Sequence, residues 1–196
     1  MTPLESALRQ IGAHLAQAHV SFALVGGLAV SVRTEPRFTR DADLAVAVAS
    51  DAEAESLIAQ LRAYGYGIEA IVEQSAVGRL ATVRILRSKE ARAPVVDLLF
   101  ASSGIEREIV AEAQPIELLP GLTMSVACVG HLIALKVLSR DDVTRPQDLA
   151  DLRSLQDVAS PSELQRAKDS VALITARGYH RRRDLAAELN KLLLKQ

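Results

Sequence analysis

Asp41 and Asp43 stand one residue apart at the mouth of the apolar run ADLAVAV. In an extended strand, residues i and i+2 point to the same face, so these two carboxylates converge. Like charges this close repel one another unless a cation lies between them. Mg²⁺ suits that position, because it takes oxygen ligands and prefers one or two carboxylates plus substrate phosphates. Two other readings fit the pair taken alone. The aspartates could be solvated at the start of an edge strand, or they could be salt-bridged by Arg37 or Arg40, which precede them.

Two further features point the same way. The run VSFALV ends in Gly26-Gly27, and LAVSVR then restarts as a helix. Glycine lets a backbone come close to a phosphate, and the free N–H groups of a helix start point at an anion. Many tight strand-to-helix turns carry Gly-Gly, so the turn by itself is a weak signal. Asp97 is the stronger one. It lies inside APVVDLLFA, where a lone charge is costly to bury unless it faces a metal or a cleft. With the 94–100 strand beside the 42–48 strand, three carboxylates would share one surface. That would be a two-metal arrangement, in which one ion activates an attacking hydroxyl and the other holds the triphosphate and leaving pyrophosphate.

The elements that must position these groups follow from periodicity. Residues 3–18 read as an amphipathic helix with Leu4, Leu8, Ile11 and Leu15 on one stripe. Strands are expected at 20–25 and 42–48, with the loop TEPRFTR before the second. A helix is expected over 51–64, capped by Ser50 or Asp51. Strand-like runs follow at 68–73, 80–87 and 94–100, then a helix near 104–113 and short strands near 115–124. The texture changes after Ser125, which is read as the cap of a helix to about 139. Pro146 starts another helix, Ser160-Pro161 opens one to about 177, and a last helix is expected over 181–194.

The bulk numbers limit the function classes. The chain has 196 residues and is 49% hydrophobic but only 3% aromatic, so Ala, Leu and Val must fill the core. Net charge is −1, and any basic face must be local. The single cysteine, Cys128, reads as a core thiol and fits a reducing compartment. The N-terminus lacks the pattern of a signal peptide, and no apolar run is long enough to cross a bilayer. A cytoplasmic protein with no membrane partner is expected. No His/Cys cluster has zinc spacing, no Lys-Ser/Thr follows the glycines as in a P-loop, and there is no G-x-S-x-G.

Gly-Gly, a gap, Asp-x-Asp and a later strand Asp together resemble the DNA polymerase β-like nucleotidyltransferase superfamily. VGGLAVSVRTEPRFTRDADLAV is closer still to the signature of its AbiEii-type, abortive-infection toxin-like branch, and HLIALKVLSRDDVTRPQDLADLRSL resembles that branch's helical segment. The resemblance implies an α/β (α+β) nucleotidyltransferase fold, a small mixed sheet with flanking helices plus a C-terminal helical bundle. It implies a catalytic core over 1–124 and a helical region over 125–196 packed on it. It places Gly26 and Gly27 on the triphosphate, Asp41, Asp43 and Asp97 on two Mg²⁺ ions, and Lys136 on nucleotide phosphates. Asp97 would also be a candidate base, and Asp148 would line the cleft. Arg40 would neutralise phosphate charge, or else form a local salt bridge. A nucleoside triphosphate is the implied substrate, with tRNA or a protein as candidate acceptor and an antitoxin as candidate partner. Rival functions are an antibiotic-type transferase acting on a small molecule, a silent nucleotide- or partner-binding module, and a phosphatase or glycosyltransferase using Asp-x-Asp.

Some residues keep plain alternatives. Lys136 could be a charged helix flank with its stem buried. Asp148 and Asp151 share a helix face and could pair with Arg145 or Arg153. The basic run HRRRD at 180–184 reads as a solvated helix start, with nucleic-acid backbone as the rival reading.

Overall fold

The structure is a computed structural model that describes residues 2–36, 39, 41–87, 94–141, 144 and 146–194. Arg37, Arg40 and Arg145 lie outside the described residues, so the expectations placed on them are not addressed by it.

Helix α1 (Pro3–Gln17) leads into β1 (Phe22–Val25) and α2 (Gly26–Arg33). Then come β2 (Ala42–Val46), α3 (Asp51–Ala63), β3 (Gly67–Gln74), β4 (Arg79–Leu86) and β5 (Val96–Leu99). Short α4 (Glu106–Ala111) precedes the hairpin β6 (Gln114–Leu119) and β7 (Leu122–Val126). Four helices complete the described chain: α5 (Val129–Ser139), α6 (Pro146–Val158), α7 (Pro161–Ala176) and α8 (Leu185–Leu193). The described strands form one sheet in the order β3-β4-β5-β2-β1-β7-β6. The β2–β5 and β1–β7 pairs are parallel and the others antiparallel, so the sheet is mixed.

The core sits where the central strands meet the helices. Leu24, Leu44 and Leu98 on three neighbouring strands are fully buried, as are Ile11 and Leu15 of α1, Leu57 and Leu61 of α3, and Leu132 and Ile133 of α5. With so few aromatics, the chain fills this space with branched aliphatics and alanine, whose small volume lets elements approach closely. Gly130 shows the effect: a Cβ there would fall 2.8 Å from Arg166 Cβ, so only glycine lets α5 and α7 pack at this distance.

Helix starts follow their capping chemistry. Thr2, Ser50, Ser160 and Asp184 each accept a hydrogen bond from a backbone N–H three residues on. Helix α2 is different, because its N-cap is Val25 and carries no side-chain acceptor. Gly26 and Gly27 are its first residues, so the glycines open the helix directly and do not form a separate turn before it.

Two expected boundaries move. Ser125 lies within β7, and the following helix begins at Val129 with Cys128 at its N-cap. The last helix starts at Leu185, because Arg181 and Arg182 hold left-handed backbone angles (φ +53° and +60°), which successive non-glycine residues inside a right-handed helix do not adopt.

Candidate active site

A cleft of about 550 Å³ opens at the ends of the central strands, where β1 ends and β2 and β5 begin. Gly26, Gly27, Asp41, Asp43 and Asp97 line it on the sheet side, and Lys136, Ser139 and Asp148 on the helical side. The structure therefore gathers the described candidates into one place.

On the sheet side the geometry is set by register. Val25 pairs with Asp43, Asp43 with Asp97, and Asp97 with Arg84, in one row across β1, β2, β5 and β4. Side chains in such a row share a face of the sheet. Asp43 and Asp97 are thus neighbours on parallel strands, which is the adjacency that strand order alone had left conditional. Asp41 lies just before β2, exposed, and shares the cleft with them.

Gly26 is shaped by Asp43. Its φ of +64° is left-handed, and an added Cβ would fall 2.5 Å from Asp43 Cγ and 2.8 Å from Asp43 Cβ. Glycine is needed here twice over, for the backbone angle and for the carboxylate folded against it.

Arg84 is the member that sequence reading missed. Its Nε donates to Asp97 Oδ1 at 2.9 Å and its Nη2 to Oδ2 at 2.8 Å, a two-pronged pair. This bonding pushes the Arg84 guanidinium further up, helped by the charges of Asp97, Asp41 and Glu69 and opposed by burial. A signal existed in LATVRIL, where Ala81, Val83 and Ile85 are buried and Thr82 and Arg84 alternate with them. Both polar residues face the cleft.

The helical wall carries a second cluster. Lys136 Nζ lies 2.7 Å from Asp148 Oδ1 and 2.7 Å from Asp151 Oδ2. Ser139 Oγ donates to Asp148 Oδ2 at 2.9 Å, and Gln147 Nε2 donates to Asp151 Oδ1 at 3.3 Å. Both carboxylates are buried, with side-chain exposures of 7% and 2% against 12% for Lys136. Among the described residues, Lys136 of α5 bridges this acidic pair and Arg153 does not.

The loop after β5 closes the cleft. Ser103 donates from its N–H and its Oγ to Glu106 Oε1, at 2.7 and 2.9 Å. Burial pushes the Glu106 carboxyl up, against the pull of these hydrogen bonds. The braced loop presents Ser102 and Ser103 to the cleft.

Residues 8–196 match the profile of the family described as "Nucleotidyl transferase AbiEii toxin, Type IV TA system". The chain belongs to this AbiEii nucleotidyltransferase family. It is accordingly a nucleotidyltransferase of a toxin–antitoxin type. Solved structures carry the same fold. An antigenic nucleotidyltransferase-like protein from Paracoccidioides brasiliensis is 17% identical, with 95% of this chain and 92% of that one covered and a TM-score of 0.56. The antibiotic-resistance factor ANT(2'')-Ia in solution is 15% identical, with 98% and 100% covered and a TM-score of 0.55. The lincosamide antibiotic adenylyltransferase LnuA, lincomycin-bound, is 14% identical, with 79% and 98% covered and a TM-score of 0.52. No curated protein matches the chain. Among the described residues, no helix is long and apolar enough to cross a membrane.

Proposed function

We propose that this AbiEii-family chain moves a nucleoside monophosphate from a nucleoside triphosphate to an acceptor hydroxyl, at the row formed by Asp43, Asp97 and Arg84. The acceptor oxygen forms a bond to the α-phosphorus, the bond from that phosphorus to the bridging oxygen breaks, and pyrophosphate leaves. The observation that carries this reading is the register pairing of Asp43 with Asp97 beside Gly26.

The donor set fits Mg²⁺ in one particular way. Among the described residues, no three His, Cys, Asp or Glu side chains are gathered closely enough to hold a metal by themselves. Asp41 and Asp43 can still supply the one or two carboxylates that Mg²⁺ takes alongside substrate phosphates. Asp97 can join them, because each carboxylate oxygen keeps a lone pair beyond the one Arg84 uses. When bound, Mg²⁺ would neutralise phosphate charge and favour the ionised acceptor hydroxyl. The chain itself does the rest. Gly26 and Gly27 bring the uncapped N–H groups of α2 to the phosphates, Asp97 accepts the hydroxyl proton, and Arg84 keeps Asp97 turned into the cleft. In this reading residues 1–124 are the catalytic core and 125–196 form its helical wall, with Asp148 lining the cleft and Lys136 set beside it.

The family suggests tRNA or a protein as acceptor, an antitoxin as partner and a cytoplasmic setting, which buried, disulfide-free Cys128 suits. A small-molecule acceptor is the second reading. It is suggested by the fold shared with the lincosamide antibiotic adenylyltransferase LnuA, which is lincomycin-bound. The test is transfer of label from each α-labelled nucleoside triphosphate, with Mg²⁺, to purified tRNA, to protein extract and to amine-bearing small molecules. Label on tRNA or protein supports the toxin-type reading. Label on small molecules alone supports the second. Triphosphate bound but no label on any acceptor contradicts both.

A further inference from the structure

Residues 100–105 follow β5, the strand that carries Asp97, and lead into α4. All but one of the side chains in this loop serve the fold. Phe100, Ala101 and Ile105 are buried, and the Phe100 N–H donates to Ala81 O at 2.8 Å. Ser103 is 1% exposed and spends its hydroxyl on Glu106. Gly104 has a left-handed φ of +78°, and a Cβ there would fall 2.5 Å from Cδ2 of the Tyr179 ring. Arg177 donates to the Gly104 carbonyl and is itself held by both oxygens of Glu108, at 3.1 and 2.7 Å. The exception is Ser102. It is half-buried, it lines the cleft, and its hydroxyl has no hydrogen-bond partner among the described residues.

Glu106 explains why this loop keeps one shape. The residue is 4% exposed and forms no ion pair among the described residues. A buried carboxylate is costly unless donors surround it, and here the loop supplies them. The Ser103 N–H and Oγ donate to Oε1, and the N–H groups of Ser102 and of Glu106 itself also favour the charged form. The carboxylate therefore fixes the turn from within, while Tyr179 and Arg177 clamp it from outside.

The position of Ser102 follows from the sheet. Arg84 pairs with Asp97, and Thr82 pairs with Leu99 two residues further along the same strands. Leu99 shares a face with Asp97 at a distance of about 7 Å. The cleft floor thus runs from the carboxylates over Leu99 and Thr82 to Ser102, with Leu135 of α5 on the wall. Gly26 and Gly27 lie toward β1, on the other side of Asp43. A triphosphate with its outer phosphates at the glycines and its α-phosphorus at the carboxylates directs its nucleoside over Leu99. Apolar walls with a few placed polar groups are what such a ligand takes.

We propose that Ser102 hydrogen-bonds the nucleoside of the bound triphosphate, and that Glu106 is the positioning residue that holds it there. The inference rests on the nucleotidyl-transfer reading. A hydroxyl both donates and accepts, so it can meet either kind of polar atom on the nucleoside.

The experiment uses the full chain with Mg²⁺. Calorimetry measures binding of the four α,β-methylene nucleoside triphosphates and of inorganic tripolyphosphate, and transfer kinetics give KM and kcat. The proteins are the native chain, Ser102→Ala, Ser102→Thr, Glu106→Gln, Glu106→Ala and the double variant Ser102→Ala/Glu106→Ala, each with a melting curve. Ser102→Ala should keep its Tm and weaken the tightest-binding analogue about fivefold, one hydrogen bond's worth, without changing tripolyphosphate binding. Its KM for the triphosphate should rise while kcat stays. Ser102→Thr keeps the hydroxyl and Glu106→Gln keeps an acceptor for Ser103, so both should bind within about twofold of native. In the Glu106→Ala background the loss of Ser102 should add less than about twofold, because the hydroxyl is already misplaced. Analogue binding within about twofold of native in Ser102→Ala overturns the proposal, as does an equal loss of tripolyphosphate binding or an effect on acceptor KM alone. Glu106→Gln that binds as weakly as Glu106→Ala overturns the positioning role, and if Glu106→Ala does not fold, Glu106→Gln and the Ser102 variants still decide. A native chain that binds no analogue overturns the nucleotidyl-transfer reading itself.

Discussion

Gly26 and Asp43 share a space that admits only one substituent: the carboxylate of Asp43 lies where a Cβ of residue 26 would go. Gly26→Ala therefore displaces Asp43 and also forces a left-handed angle on alanine, costing about 1–2 kcal/mol of stability. A misplacement of this size at a reacting centre lowers kcat/KM by about 100-fold. Transfer kinetics together with a melting curve check both halves. An alanine variant with native kcat/KM would show that Asp43 is free to move without consequence.

Arg84 and a metal would draw on the same carboxylate. Arg84→Met leaves Asp97 without its charged partner, and the exposed position of Arg84 (43%) limits the loss of stability to about 1 kcal/mol. In chelator the variant should melt below the native chain, and Mg²⁺ should raise its Tm more than it raises the native one. Equal stabilisation of the two proteins by Mg²⁺ would argue against Asp97 as a ligand.

Lys136 bridges two buried carboxylates, so its loss removes that cation from both Asp148 and Asp151. Lys136→Met is expected to cost about 3 kcal/mol in denaturant unfolding. Replacing both partners as well, in Lys136→Met/Asp148→Asn/Asp151→Asn, should return most of that. Transfer activity in this triple variant then separates two roles. Stability without activity indicates that the cluster also touches phosphate or acceptor, and recovery of both indicates a purely structural cluster.

His131 gives a pH dependence with a defined sign. Burial holds its pKa below the ordinary 6.5, aided by Arg166 and opposed chiefly by Glu112, and its Nδ1 has no hydrogen-bond partner among the described residues. The unfolded chain protonates this ring before the folded one does. The stability it supports is therefore present above pH 6.5 and is lost as pH falls below it, at up to about 1.4 kcal/mol per pH unit. His14, depressed mainly by burial and also by Arg87, adds in the same direction. Asp51 and Glu108 are held low chiefly by Arg79 and Arg177, so their contributions fade only in the more acidic carboxylate range. His131→Asn should flatten the loss between about pH 6.5 and about pH 5.5 in urea unfolding. An unchanged slope would assign the acid sensitivity to other groups.

Much of this was legible in the sequence because strand and helix periods are local. The runs 20–25, 42–48 and 94–100 read as strands, and the pairing of Asp43 with Asp97 was reachable once those strands were set side by side. Arg84 was missed because its role depends on which strand lies beyond β5, a long-range choice that alternation within LATVRIL does not encode. The Lys136 cluster had a readable spacing on α6 but an unreadable partner, because Arg153 was as close in sequence as Lys136 was in space. Ser125 looked like a cap because caps are judged by residue type. The hairpin with β6 takes it into a strand before the helix can start. The late start of α8 came from left-handed backbone at two arginines, which propensity does not foresee.

The central claim is that the row around Asp43 cleaves a triphosphate between its α- and β-phosphates. The most direct measurement compares α-labelled with γ-labelled nucleoside triphosphate, in native chain and in Asp43→Asn, with Mg²⁺ and the acceptor mixture. The account expects the α-label to join the acceptor, the γ-label to appear only in pyrophosphate, and both to stop in Asp43→Asn. A γ-label found on the acceptor, or α-label transfer that continues unchanged in Asp43→Asn, would contradict it.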